Sequence, residues 1–269
     1  MRLIEKRVVI TGAAGLLGIE HARAVLNEGG EVALIDIDFS SLEDFKSTFT
    51  TYNQARIHNY MCDITNENDL LAISKKISRD FGVPTGLVNN AAINPAVESG
   101  MGGFTRLENL SVETWNRELA VGLTGAMLCS KIFGSMMVES RTPGSLVHVA
   151  SDHGVIAPNQ NLYKVEGIDE KNQAVKPITY SVVKHGLIGL SRYLSTYWSS
   201  QGIRSNSICP GGVRNNQNQD FLEKFNRLVP LGRPAEPDEY RGALVFLLSD
   251  ESSYMTGANL VIDGGRSVW

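Results

Sequence analysis

The chain is poor in the features that would set it apart from ordinary globular enzymes and binding proteins. It holds only three cysteines in 269 residues, Cys62, Cys129 and Cys209. Their odd number and scatter exclude a disulfide framework and suit a reducing compartment, and without a CxxC pair they give no zinc signature. Of the five histidines, His21, His58, His148 and His185 stand at no ligand-like spacing from one another, so no metal site is expected. Charge of one sign never accumulates: the net charge of −4 comes from acids and bases spread along the whole chain. That argues against a nucleic acid or an anionic membrane as partner. Long hydrophobic runs are missing too, and stretches such as Ala243 to Leu248 are far too short to span a bilayer. Met1 to Thr11 lack the charged start, apolar run and small-residue cleavage site of a signal peptide, so a cytoplasmic location is expected.

What is present is an ordinary apolar fraction of 42 %, ample for one sizeable core. Short β-branched runs alternate with helix-period segments, the pattern of a parallel sheet covered on both faces. Strands are expected at Arg7 to Thr11, Glu31 to Asp36, Arg56 to Cys62, Gly86 to Asn89, Ser145 to Ala150, Arg204 to Cys209 and Asn259 to Ile262. Long helices are expected from Ser111, a good N-cap, towards Val138 and from Thr179 to Ser200. With no repeat or linker, residues 1–269 read as one doubly wound α/β domain of Rossmann type with about seven strands. Two irregular segments leave the carboxyl ends of strands, where open α/β sheets bind ligands: Asn94 to Leu110, with Gly100, Gly102 and Gly103, and Val155 to Ile178.

The chemistry concentrates at a few points. Thr11-Gly12-Ala13-Ala14-Gly15-Leu16-Leu17-Gly18 joins the first strand to its helix, and its small residues would let backbone N–H groups approach a pyrophosphate. Asp36, about 18 residues after the last of these glycines, can accept both ribose hydroxyls and would repel a 2′-phosphate. No Arg or Lys lies in the turn or beside Asp36, which favours NAD. Tyr180 and Lys184 form a YxxxK pair on one helix face. A neighbouring ammonium and a cationic nicotinamide would lower the phenol's pKa and make Tyr180 an acid or base near neutral pH. Ser151 stands just after the fifth strand, ready to orient a substrate oxygen, and His153 is placed to line the substrate pocket.

Taken in order, the glycine turn, Asp36, Cys62-Asp63-Ile64, Asn89-Asn90-Ala91-Ala92, Ser151, Tyr180 with Lys184, Pro210-Gly211 and Asp263-Gly264-Gly265 resemble the short-chain dehydrogenase/reductase family over essentially the full length. The resemblance implies a catalytic set of Ser151, Tyr180 and Lys184. It implies a dinucleotide held by Gly12, Gly15, Leu17, Gly18, Asp36, Asp63, Ile64, Asn90, Ala91, Tyr180, Lys184, Pro210, Gly211 and Val213. Asp63 and Ile64 would touch adenine, Asn90 the adenine ribose side, Lys184 the nicotinamide ribose and Val213 the carboxamide. It also implies a homotetramer or homodimer built on the two long helices. Within the family, Thr179 to Trp198 and the closing Gly-Gly-Arg-Ser-Val-Trp are similar to dehydrogenases of flagellin-modification and nonulosonic-acid sugar pathways. That likeness points to a phosphorylated or nucleotide-activated sugar in surface-glycan or flagellin-glycan biosynthesis.

Three positions depart from the family pattern. The turn reads TGxxGxxG, as in the extended sugar-nucleotide branch, with Leu16 where the short enzymes have Gly or Ala. Gly122, seven residues after Trp115, takes the place of the usual helix asparagine of the proton relay. Asn215 replaces a frequent Thr. Two alternatives therefore stand beside the dehydrogenase: an NAD-retaining sugar epimerase or dehydratase, and a catalytically weak NAD-binding homologue. The 29 residues from Ser151 to Tyr180 exceed the family's usual reach of about a dozen, so Val155 to Ile178 is read as a substrate-loop insertion. Its Lys164, Lys171 and Lys176, with Asn159, Gln160, Asn161, Asn172 and Gln173, suit hydroxyls and an anionic group. Lys164 is the residue singled out among them for the substrate.

Overall fold

The computed structural model describes residues 1–40, 54–94, 97 and 105–269. The first strand, β1 (Arg7–Thr11), shows why the fold has two layers of helix. Val8 and Ile10 are fully buried on one face of the sheet among side chains of the helix α1 (Leu16–Asn27), and Val9 is fully buried on the other. A strand with both faces buried must read as a continuous apolar run, and burying each such side chain contributes on the order of 2 kcal/mol. β2 (Glu31–Asp36) follows the same rule, then β3 (Ile57–Met61), the helix α2 (Glu67–Asp80) and β4 (Gly86–Asn89). β5 (Gly144–Val149), β6 (Ile203–Pro210) and β7 (Asn259–Ile262) complete one parallel sheet of order β3-β2-β1-β4-β5-β6-β7. The order reverses between β1 and β4, and the carboxyl ends of these two strands open the crevice in which such sheets bind ligands.

The expected strands are all present, with ends shifted by a residue or so: β3 begins at Ile57, β5 begins at Gly144, and β6 runs from Ile203 to Pro210. The first long helix starts as expected. Ser111 accepts the Thr114 N–H at 3.0 Å and caps α3 (Val112–Leu119). The helical run is interrupted by a π turn at Ala120–Thr124 before continuing as α4 (Gly125–Glu139). Val112–Glu139 is long and apolar enough, by length and composition alone, to cross a membrane. It reads so because Cys129, Ile132, Phe133 and Met137 lie buried in the core on one side of the sheet. The second long helix is α5 (Ile178–Tyr197). α6 (Gln219–Asn226) has no counterpart among the expected elements, and Pro237 opens a short 3₁₀ turn that leads into α7 (Arg241–Leu248). Gly100, Gly102 and Gly103 of the first irregular segment lie outside the described residues.

Candidate active site

The carboxyl ends of β1, β2, β4, β5 and β6 border one cavity of about 1020 Å³. Every position expected to hold a dinucleotide lies on its wall except Gly18. Gly18 sits behind the glycine turn, where a Cβ would collide with the Gly12 carbonyl, so it lets α1 start tight against the strand and does not face the cavity. Gly12 itself has φ +61°, and a Cβ there would stand 2.7 Å from Ala91 Cα. A side chain here would strike the residues that follow β4, so glycine lets the turn lie close against that strand on the cavity wall, where it fits a bound pyrophosphate. Asn90 holds the turn from the other strand: its Nδ2 donates to the Thr11 carbonyl at 3.1 Å and to the Gly12 carbonyl at 2.8 Å.

Beyond the turn, Asp36 Oδ2 accepts the Ala14 N–H at 2.9 Å and Oδ1 accepts the Ile37 N–H at 2.7 Å. Asp38 joins Asp36 on the wall, and neither the glycine turn nor residues 36–40 contribute a Lys or Arg to it. Asp63 is held by Thr65, whose N–H and hydroxyl both donate to Oδ1, and Ile64 packs against Gly125.

At the other end Ser151, Tyr180 and Lys184 face the same space. Lys184 Nζ donates to the Val149 carbonyl at 2.7 Å, which ties α5 to the end of β5. Burial pushes this lysine down to about 8, with Lys176 adding to the shift. Burial raises Tyr180 to about 12, helped by Asp152, while a hydrogen bond with Ser151 works in the opposite direction. The expected lowering of the phenol is therefore not a property of the protein groups alone, because desolvation outweighs them. His153 lies against Tyr180, its ring edge-on with centroids 5.9 Å apart, and both of its ring nitrogens are buried without a hydrogen-bond partner. Burial pushes it down to about 4, so it is neutral at pH 7.

Sequence reasoning missed the clamp behind Ser151. The serine donates to Asp152 Oδ1 at 2.8 Å, and Arg266 Nη1 meets Asp152 Oδ2 at 2.5 Å. Both partners of this ion pair are almost wholly buried, and the guanidinium also lies over the Phe225 ring at 5.3 Å. An Asp directly after the serine and an Arg after the closing glycines were the available signals, but nothing in the sequence pairs them across 114 residues.

The segment 155–178 packs as an ordered loop. Gln173 is buried and staples it from within, bonding the N–H and carbonyl of Val165 and the carbonyl of Ile168. Leu162 packs with Phe225 and Val229, and Tyr163 lies beside Phe221 of α6. Lys164 does not reach the cavity: its ammonium pairs with Glu170 at 3.0 Å on the outer surface. The loop turns back through short 3₁₀ turns, which carries Lys164 and Lys171 outward and brings Lys176 and Tyr163 to the wall.

The missing asparagine also has a local account. Gly122 is the middle residue of the π turn, and a Cβ on it would lie 2.5 Å from Val183 Cγ1. Val183, one residue before Lys184, occupies the space that a longer side chain would need.

A family model for short-chain dehydrogenases matches residues 6–164, and a second, described as enoyl-(acyl carrier protein) reductase, matches 169–267. The chain belongs to the short-chain dehydrogenase/reductase family. Members are oxidoreductases that work on CH–OH groups with a nicotinamide dinucleotide. The chain is 31 % identical to 2-(S)-hydroxypropyl-CoM dehydrogenase 3 of Xanthobacter autotrophicus, over 99 % of its own length and 98 % of the relative's. It is 29 % identical to D-threitol dehydrogenase of Mycolicibacterium smegmatis, over 99 % and 95 %. A short-chain dehydrogenase from Leptospira borgpetersenii, solved with bound NAD+, is similar in structure with a TM-score of 0.85 and 30 % identity, over 99 % of this chain and 94 % of that one.

Proposed function

We propose that this short-chain dehydrogenase is NAD-specific and exchanges hydride with a secondary alcohol or ketone on a phosphorylated or nucleotide-activated sugar, in surface-glycan or flagellin-glycan biosynthesis. The observation that carries the reading is one cavity with two unlike ends: Asp36 and Asp38 at one, Ser151, Tyr180 and Lys184 at the other. Two carboxylates disfavour a 2′-phosphate, which supports NAD over NADP. Bound NAD supplies the hydride acceptor, or as NADH the donor. Tyr180 holds the transferred proton at its phenolic oxygen, Ser151 orients the substrate oxygen, and Lys184 is placed to bind ribose and to favour the phenolate as charge develops.

The sugar reading rests on the substrate end. Asn94, His153, Lys176 and Gln217 put polar groups beside the aromatic faces of Tyr163 and Phe221, a mixture that suits a polyhydroxylated ring better than an acyl chain. D-threitol dehydrogenase, a relative named for a sugar alcohol, is consistent with it. We place the enzyme in the cytoplasm as a homodimer or homotetramer. Tyr193 and Tyr197 stack on the outer face of α5 and are 61 % and 58 % exposed, an apolar surface suited to a second copy.

The deciding experiment is NAD reduction and NADH oxidation with a panel of sugar phosphates, nucleotide sugars, neutral polyols and their ketones. Turnover confined to anionic sugars is expected. Turnover of neutral polyols alone would remove the activated-sugar assignment, and sugar conversion without net change in NADH would favour an epimerase. A monomer mass by light scattering at micromolar concentration would remove the oligomer.

A further inference from the structure

Lys176 is an unusual lysine for a surface loop. Its backbone is fixed, with its N–H donating to Gln160 Oε1 at 2.8 Å and the preceding Val175 N–H donating to Thr105 Oγ1 at 3.1 Å. Its ammonium is directed inward, donating to Asn94 Oδ1 at 2.7 Å and lying 3.9 Å above the centre of the Tyr180 ring. Both Asn94 and Lys176 lie on the cavity wall.

An ammonium has three N–H donors, and Asn94 takes one of them. Among the described residues no carboxylate stands within ion-pair distance, whereas Lys164 in the same loop is paired with Glu170. The two acids that act on Lys176 electrostatically, Asp152 and Glu118, are already engaged. Asp152 is held by Arg266, Ser151 and the His153 N–H, and Glu118 accepts from Thr179. Lys176 is half-buried, and partial loss of water lowers it to about 8 against the opposing pull of Asp152 and Glu118. An anionic ligand would supply a counterion, and the aromatic face beneath would help to hold the charge in place.

The position of this charge narrows the ligand. The phenolic oxygen of Tyr180 lies only one ring radius and one C–O bond from the centroid that the ammonium covers. An anion bonded to Lys176 therefore sits beside the substrate oxygen that Tyr180 would meet, and not at the far end of a long molecule. We propose that Lys176 and Asn94 form an oxyanion subsite, which binds a carboxylate or phosphate carried by the substrate within a bond or two of the carbon that exchanges hydride. The proposal rests on the dehydrogenase reading above, and narrows its anionic sugars to those whose acidic group stands within a bond or two of the reacting carbon.

The test uses the full chain saturated with NADH, so that free anions do not report the pyrophosphate turn. Inorganic phosphate, oxalate and neutral meso-erythritol are titrated separately by calorimetry into the wild type and Lys176→Met. Phosphate or oxalate should bind at millimolar concentration and weaken at least about tenfold in the variant, with erythritol unchanged. Lys176→Arg should retain most of the affinity. If Lys176→Met does not fold, Asn94→Ala carries the same comparison. Oxyanion binding that is equal in wild type and variant, absent from both, or lost in step with erythritol overturns the subsite. NADH failing to bind either protein would remove the dehydrogenase reading itself, and the proposal with it; the NADH titration that opens each experiment separates that case from the others.

Discussion

The two ends of the cavity are built by different means. At the dinucleotide end the shape comes from backbone: a glycine turn, a strand end, and a carboxylate held by amide N–H groups a few residues away in space. At the substrate end it comes from side chains that meet across long stretches of chain, as with Asp152 and Arg266 or Lys176 and Asn94. The first kind of site needs the ends of β1, β2 and β4 side by side, which the sheet itself supplies. The second needs the whole loop and the closing turn to be folded before any of its groups is in place. Changes at one end should therefore leave the other largely intact, and that separation can be tested.

The largest expected effect is at the proton. Tyr180→Phe should lower turnover by on the order of 10⁴-fold while NADH affinity, read by fluorescence titration, stays within about twofold. Comparable turnover in the two proteins would take Tyr180 out of the reaction. Arg266→Ala comes next, because it leaves a buried carboxylate without its countercharge, a change that costs about 3–5 kcal/mol. A fall in Tm of about 2–4 °C for each kcal/mol lost is expected, and Arg266→Ala combined with Asp152→Ala should recover part of it. No fall would mean that water replaces the guanidinium easily and that the clamp does not fix Ser151.

How much of this could be read beforehand follows the same division. β1, β2, β4 and β7 have the expected limits, since strands bracketed by turns leave little choice of register. α6 was not anticipated although Asn218 caps it and Phe221, Leu222 and Phe225 share one face; two turns are too short a window for that pattern to stand out, and its role appears only when Phe225 meets Leu162 and Arg266. The π turn depends on a shift of backbone hydrogen bonds that side-chain patterning does not encode. The sequence favours Lys164 over Lys176, and the structure reverses that choice: the buried Gln173 staple and the bond from Arg106 to the Glu170 carbonyl at 2.7 Å set the path that turns Lys164 outward and Lys176 to the cavity wall.

Two smaller effects sharpen the comparison. Restoring the usual family residue by Gly122→Asn should destabilise the protein by about 1–3 kcal/mol, because Val183 fills the space. Val183→Ala in the same chain should relieve most of the loss in a urea unfolding series. Additive destabilisation by the two changes would show that Val183 is not the obstacle. At the dinucleotide end, catalytic efficiency with NAD should exceed that with NADP by at least about tenfold, roughly 1.4 kcal/mol, and Asp36→Ala should narrow the gap. Equal efficiency with the two would mean that Asp36 and Asp38 do not govern the choice.

The clamp from Arg266 to Asp152 also bears on the order in which the site comes into being during synthesis. Ser151, Tyr180 and Lys184 leave the ribosome well before the residue that anchors the serine's neighbour. A nascent chain that has reached β6 can pair six of the seven strands and form the glycine turn, yet it holds Asp152 with no countercharge. The glycine turn and Asp36 are thus in place while the chain is still growing, and the substrate end closes only when Arg266 emerges.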